Sequence, residues 1–354
     1  MKKFMLFLIS ILFCGKLFAA EINKIIFFGD SLSDNGNLYN IIKVIPKTPP
    51  YFNGRFANGP VWSELLGQAL KKKYNISFND YAYGGATILS FGSSASFFSP
   101  MNLEGEIDTY YAHEFAIDKS HTLYVIWLGA NDYLTEDHAD GEQLTTQVID
   151  KLAWAMNKLI ADGARYFMIL NVPDLSIPPL AKMSDKMERM QYLSTLHNQK
   201  LDRMLINLRN SNPNLRIFTM DVYNFLRDVI SNTKRYNKQY HAHLHITDQF
   251  CWQGGIFIKS QDKLLDANHF AVKNKLQQEL KTDQQLAELI LKSPDLFITY
   301  SNDQLVRANP DELCKDPDEY IFWDPLHPTK IIHEILAQLA SHLLETQAAD
   351  LLKK

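Results

Sequence analysis

The chain has 354 residues, 36 of them Lys or Arg and 40 Asp or Glu, with a formal net charge of −4 and 46% hydrophobic residues. Those counts suit a globular enzyme with one large α/β domain, or one such domain carrying an insertion. No dense basic stripe is present, which argues against nucleic acid as a partner.

Lys2 and Lys3 form a short basic start, residues 4–13 are almost wholly apolar, and small residues follow at Ala19 and Ala20. That is the layout of a secretory signal peptide, and the apolar run is too short to span a bilayer, which takes ~20 residues. Cleavage is expected after Ala19, with Leu17 a mediocre fit at the −3 position. Cys14 follows Phe13, which is too bulky for a lipid-attachment site. No later stretch has the length of a membrane-spanning helix, so the expected product is exported, and either soluble or bound to a membrane surface. Without Lys2, Lys3 and Lys16 the charge becomes −7, and two cysteines remain, Cys251 and Cys314. An even pair in an exported protein reads first as a disulfide, with two buried free thiols as the alternative.

In chain order, residues 24–28 (KIIFF) predict a strand and residues 61–73 a helix. Another short strand precedes Asp80. Strands at 123–128 (LYVIWL), 166–170 (YFMIL) and 215–220 (LRIFTM) alternate with helices at 141–162 and 187–209. The strands read as buried on both faces. Their alternation with helices predicts βαβ units and a parallel sheet flanked by helices. Residues 231–318 break that rhythm with many Asn, Lys, His and Gln and a helix-like stretch at 273–292, and predict an insertion closed by a Cys251–Cys314 bridge. A regular helix at 330–344 ends the pattern.

The first strand runs into Gly29-Asp30-Ser31-Leu32-Ser33-Asp34. A serine directly after a buried strand faces the usual ligand site of an α/β sheet. A helix opening at Leu32 would add N-terminal amides able to stabilise an oxyanion; the plainer reading is that Asp30 or Ser31 only caps a helix. Far downstream, Phe322-Trp323-Asp324-Pro325-Leu326-His327-Pro328-Thr329 puts a carboxylate and an imidazole three residues apart between prolines. One tight turn would bring the carboxylate to one ring nitrogen and leave the other to take a serine proton. Taken alone, Asp-x-x-His is usually a surface turn. Asn131, in Gly129-Ala130-Asn131-Asp132 at another strand end, reads either as an oxyanion donor or as a turn residue. Gly84 and Gly85 allow either a close approach of backbone N–H to a substrate or simply a tight turn.

These four segments, in this order, resemble the GDSL or SGNH hydrolase family, and the likeness spans nearly the whole chain after the leader. Residues 49–62 (PPYFNGRFANGPVW) are similar to the long lipolytic branch of that family. The resemblance implies a three-layer α/β/α, SGNH-hydrolase-like fold with a mostly parallel central sheet. A disulfide-closed insertion at about 231–318 would precede the last catalytic segment, within a single domain at 20–354 that follows a leader at 1–19. Carried over position by position, Ser31 matches the nucleophile and a backbone oxyanion donor. Gly85 matches the second-block glycine, with Gly84 as the other register. Asn131 matches the third-block asparagine, and Asp324 and His327 the final pair. No metal or organic cofactor is implied. The branch contains secreted bacterial phospholipases, lysophospholipases and glycerophospholipid:cholesterol acyltransferases. It therefore implies a phospholipid or lysophospholipid substrate at a membrane or micelle surface, leaves room for a sterol as acyl acceptor, and points to an activating protease acting on the disulfide loop.

Two rival functions use the same residues. One is a carbohydrate-ester or small-ester hydrolase with the same triad. The other is a binding protein on a retired hydrolase fold, disfavoured because all five catalytic positions are filled. His241, His243 and His245 alternate as strand residues would, which could put three imidazoles on one face for zinc. No Cys or acidic cluster stands near them, and a solvated edge is the better reading. The remaining histidines, His197 and His333 among them, show no partner pattern. The Met and aromatic residues of 186–209 read as core rather than as a lipid-binding face.

Overall fold

The computed structural model describes residues 21–90 (44 and 47 excepted), 102–252 (137 excepted), parts of 274–300, and 313–352. The leader at 1–19 and much of the 231–318 insertion lie outside the described residues.

Strand β1 (Lys24–Gly29) alternates its side chains between two cores. Ile26 and Phe28 enter one, Ile25 and Phe27 the other, as the period-two pleat of a strand requires. The chain continues through α1 (Asn37–Ile42), α2 (Trp62–Tyr74), β2 (Ser77–Asp80), α3 (Leu103–His113) and β3 (Thr122–Trp127). Next come α4 (Ala130–Thr135), α5 (Gly141–Ala161), β4 (Tyr166–Leu170), α6 (Pro179–Met183), α7 (Met187–Ser211) and β5 (Arg216–Met220). The last part holds α8 (Val222–Ser231), α9 (Thr233–Tyr240), β6 (Ile246–Phe250), α10 (Gln284–Lys292), β7 (Tyr320–Phe322) and α11 (Lys330–Gln347).

The five strands β2-β1-β3-β4-β5 form one parallel sheet in that order. Helices α3, α5 and α7 cover one face and fill its core with Ile107, Leu152 and Leu205; α2, α8 and α11 cover the other with Leu66, Phe225 and Leu336. Three α/β/α layers result, as the alternation of strands and helices predicts. Reversal of strand order around β1 and β3 opens a crevice at their carboxyl ends.

Two local expectations differ from the structure. No helix opens at Leu32. The amides of Ser33 and Asp34 close a turn on the Asp30 carbonyl, the Asp30 side chain accepts from the Leu32 amide, and the first helix waits until Asn37. Nor do His241, His243 and His245 form a strand. His241 ends α9 in the left-handed conformation, and Asn237 clamps the next loop through the Leu244 amide and carbonyl, so β6 starts only at Ile246. Among the described residues no group of three His, Cys, Asp or Glu could hold a metal ion, and no helix is long and apolar enough to cross a membrane.

Cys251 and Cys314 are bridged across 63 residues. The bridge ties the end of β6 to the approach of β7, and these two strands pair in parallel as a separate small sheet. Within the segment that it closes, Leu276, Ala287, Ile290, Leu296 and Tyr300 join the core beneath α3, α5 and α7. The described part of the insertion is thus packed onto the domain. Removing the bridge in a Cys251→Ala/Cys314→Ala protein should lower the unfolding free energy by roughly 4 kcal/mol in the chain-entropy view, read by urea denaturation. A loss below ~1 kcal/mol would mean that the β6–β7 pairing and the core contacts hold the segment without it.

Candidate active site

β1 delivers Ser31 to the carboxyl edge of the sheet, and the turn after β7 delivers Asp324 and His327 to the same place. His327 Nε2 lies 3.0 Å from Ser31 Oγ, and His327 Nδ1 lies 2.7 Å from Asp324 Oδ2. All three side chains are buried. Pro325 and the 324–327 turn fix the relative position of carboxylate and ring. The amides of Leu326 and His327 both donate to Asp324 Oδ1, at 2.8 and 2.7 Å, so the carboxylate caps its own turn.

Two loops complete the rim. Asn131 is the second residue of α4, and its side-chain amide donates to the Ala86 carbonyl at 3.0 Å, which pins the side chain against the 84–87 loop. Of the two glycine registers, Gly84 has its N–H committed to Asp34 Oδ2 at 2.8 Å, and a Cβ there would strike the Phe56 ring. Gly85 has φ +76 and sits under Leu296 of the insertion, where a Cβ would lie 2.7 Å from that side chain. A glycine is required there by conformation and by space.

Buried carboxylates splint these loops. Asp34 accepts from the amides of Gly36, Asn37, Leu38 and Gly84, tying the Ser31 turn to the glycine loop. Burial pushes its carboxyl up to about 6 although those four amides pull it down. Asp132 accepts from the amides of Ile88 and Leu89 and so joins α4 to the glycine loop; burial pushes it up to about 7. Glu106, raised well above its ordinary range by burial, accepts from the Gly29 amide beneath the serine. Asp324 behaves oppositely. Burial would raise it, but the His327 charge, the bond from its ring, and the amides of His327 and Leu326 outweigh burial and hold the carboxyl below the usual range. Two further histidines are held neutral by burial, both pushed down to about 3. His333 accepts from the Trp62 amide, and His197 bonds the Tyr133 hydroxyl beside Gly129.

Ser31, Asn131 and His327 line a cavity that is open at its mouth. The rest of its wall is mostly apolar and includes Trp127, Leu175, Phe225, Leu226, Ile332 and Leu336. The structure therefore brings Ser31, Asn131, Asp324 and His327 together, with Gly85 in the loop to which Asn131 is bonded. Cys251 and Cys314 lie beneath this site, in a cluster with Tyr51, Trp252 and Trp323. The reading from sequence missed Asp34, Asp132, Glu106 and Tyr51. Tyr51 had one signal, its place in the 49–62 segment. That segment carries Phe56, whose ring centroid is 5.2 Å from that of His327, and Asn58, whose side chain caps the Lys330 amide.

The profile of the GDSL-like Lipase/Acylhydrolase family matches residues 25–340 of the chain. The chain is 27% identical over 339 residues to the phosphatidylcholine-sterol acyltransferase of Aeromonas hydrophila, covering 92% of this chain and 91% of that protein. It is 30% identical over 223 residues to secreted effector protein SseJ of Salmonella typhimurium, covering 60% of this chain and 50% of that protein. With the thermolabile hemolysin of Vibrio parahaemolyticus it shares 21% identity over 324 residues, 90% of this chain and 63% of that protein. Among solved structures, a catalytic mutant of an acetylxylan esterase from Geobacillus stearothermophilus aligns at 11% identity over 61% of this chain and 83% of that one, with a TM-score of 0.38.

The buried histidines give a pH prediction. A histidine pushed down to about 3 stays unprotonated in the fold, while its unfolded counterpart takes up a proton below about 6.5. The unfolded state therefore binds more protons between these values, and stability falls as pH falls through that window. Replacing His197 by Gln should flatten the stability–pH slope between pH 6 and 4 by up to ~1.4 kcal/mol per pH unit. Parallel slopes for wild type and variant in urea denaturation would contradict the neutral assignment.

Proposed function

The chain belongs to the GDSL-like lipase/acylhydrolase family, and from that premise we propose that it is an exported lipolytic serine esterase acting on phospholipids or lysophospholipids. Ser31 Oγ attacks the ester carbonyl while His327 Nε2 takes its proton, and Asp324 orients the ring and stabilises the imidazolium. The Ser31 and Gly85 amides and the Asn131 side chain receive the developing oxyanion. His327 returns the proton to the leaving alcohol, and water or a second alcohol then resolves the acyl-enzyme by the reverse sequence. The domain that does this is residues 20–354, after removal of a leader at 1–19.

The observation that carries this reading is the serine–imidazole–carboxylate chain opening directly onto a mostly apolar cavity. The mostly apolar wall suits hydrocarbon, whose burial contributes roughly 0.8 kcal/mol per methylene, better than it suits the hydroxyls of a sugar. That favours lipid over acetylated sugar. A sterol as acyl acceptor is supported by the acyltransferase of Aeromonas hydrophila, and export by the disulfide and by the secreted relative of Salmonella typhimurium. Regulation by proteolysis of the disulfide loop is supported by Leu296, which packs on Gly85.

Purified protein offered phosphatidylcholine, lysophosphatidylcholine and an acetylated sugar, with and without cholesterol, should release fatty acid from the lipids and form sterol ester when the sterol is present. Turnover of the sugar ester alone would overturn the lipid reading. Ser31→Ala should abolish turnover in a folded protein, and Asn131→Ala should lower kcat by roughly a hundredfold with little change in stability; wild-type rates in either would remove that residue from the mechanism. Leu226→Trp should fill the cavity, lowering kcat/KM for long acyl esters by more than roughly tenfold while sparing short ones. Equal losses across a chain-length series would place the acyl chain elsewhere.

A further inference from the structure

Tyr51 is 1% exposed, and its hydroxyl donates to Asp324 Oδ2 at 2.7 Å across 273 residues of sequence. That oxygen is the same one that meets His327 Nδ1. The Tyr51 ring has no room to turn away. It packs on Trp252 and Trp323 with centroids at 5.9 and 6.2 Å, and those two rings lie 5.7 Å from each other. Cys251 belongs to the same cluster, with Cys314 packed against it, so the disulfide closes its base. A rigid aromatic block thus aims one hydroxyl at one carboxylate oxygen.

We propose that Tyr51 is a positioning residue for the acyl-transfer reaction, sharing the charge of Asp324 and fixing the oxygen against which the His327 ring is oriented. The proposal rests on Asp324 and His327 acting as the proton-relaying pair. Its consequence is electrostatic. A donor on Oδ2 spreads the carboxylate charge, so less of it stabilises the His327 imidazolium. Without the hydroxyl, the imidazolium is favoured and the ring holds its proton to higher pH. Among the described residues, His333 of α11, held neutral, and Asp30 line the same cavity as His327; neither is changed by a substitution at Tyr51.

The test is the pH profile of kcat/KM on lysophosphatidylcholine for wild type, Tyr51→Phe, and a protein carrying 3,5-difluorotyrosine at position 51. Phe keeps the ring and its packing and removes only the donor. Its acid limb should move up by about half a pH unit or more, with kcat at the optimum down roughly tenfold and KM little changed. Difluorotyrosine is a more acidic, stronger donor of nearly the same size, and its acid limb should move down. Acid limbs that coincide in all three proteins would overturn the proposal, and if Tyr51→Phe does not fold the difluorotyrosine protein decides by itself. Ser31→Ala in the same assay separates the two ideas. Residual wild-type turnover there would remove the triad, whereas a dead Ser31→Ala with unmoved acid limbs would remove only the role of Tyr51.

Discussion

A carboxylate with no exposed surface is the constraint around which the site is built. Burying an unpaired charge costs far more than a domain's net stability, so Asp324 survives as an anion only because donors surround it. Two amides of its own turn take Oδ1, and the His327 ring and the Tyr51 hydroxyl take Oδ2. Three of those donors, the two amides and the His327 ring, belong to the 324–327 turn itself. Tyr51 arrives from the other end of the chain, and holding it there calls on the aromatic cluster and the disulfide beneath it. The 49–62 segment then grips the C-terminal turn at two further points, with Phe56 on the His327 ring and Asn58 on the Lys330 amide.

The other buried carboxylates near the site divide the work differently. Asp34 and Asp132 have backbone amides as partners and, among the described residues, no cation, so burial wins and their carboxyls rise to about 6 and about 7. What they provide is geometry. One carboxyl spans the serine turn and the glycine loop, the other spans α4 and the residues after that loop. The relative placement of Ser31, Gly85 and Asn131 is therefore set by side chains that never need to touch a substrate. Asp324 alone of these is pulled below its ordinary range, because an imidazole that can carry charge stands against it.

How much of this was legible in the sequence follows from range. The sheet could be read because strand burial leaves a local trace; KIIFF and YFMIL are apolar on both faces for the same reason that their residues feed two cores. Ser31, Asp324 and His327 could be read because each sits in a short, unusual string at a strand end. Local pattern misled where a side chain settled the backbone instead. Asp34 gathers the amides that a helix from Leu32 would have used, and Asn237 replaces the strand suggested by three alternating histidines. Tyr51 was invisible as a functional residue because its partner lies 273 positions away, and no periodicity records such a contact.

The two faces of the sheet also separate chemistry from recognition. The glycine loop and α4, which carry Gly85 and Asn131, pack with Ala86, Ile88 and Tyr133 in the core of α3, α5 and α7. Most of the large side chains that line the cavity, Trp127, Phe225, Leu226, Ile332 and Leu336, belong instead to the core of α2, α8 and α11. Ser31 stands at the sheet edge between them. Changes on the α8–α11 side alter the cavity wall while the hydrogen-bonded splints of the other face stay intact, and residues more than ~7–10 Å apart with no shared partner act nearly independently. On the proposed lipolytic reading, the α8–α11 wall is therefore where chain-length preference can diverge without loss of catalysis. The 49–62 segment, bonded to the triad itself, has no such freedom.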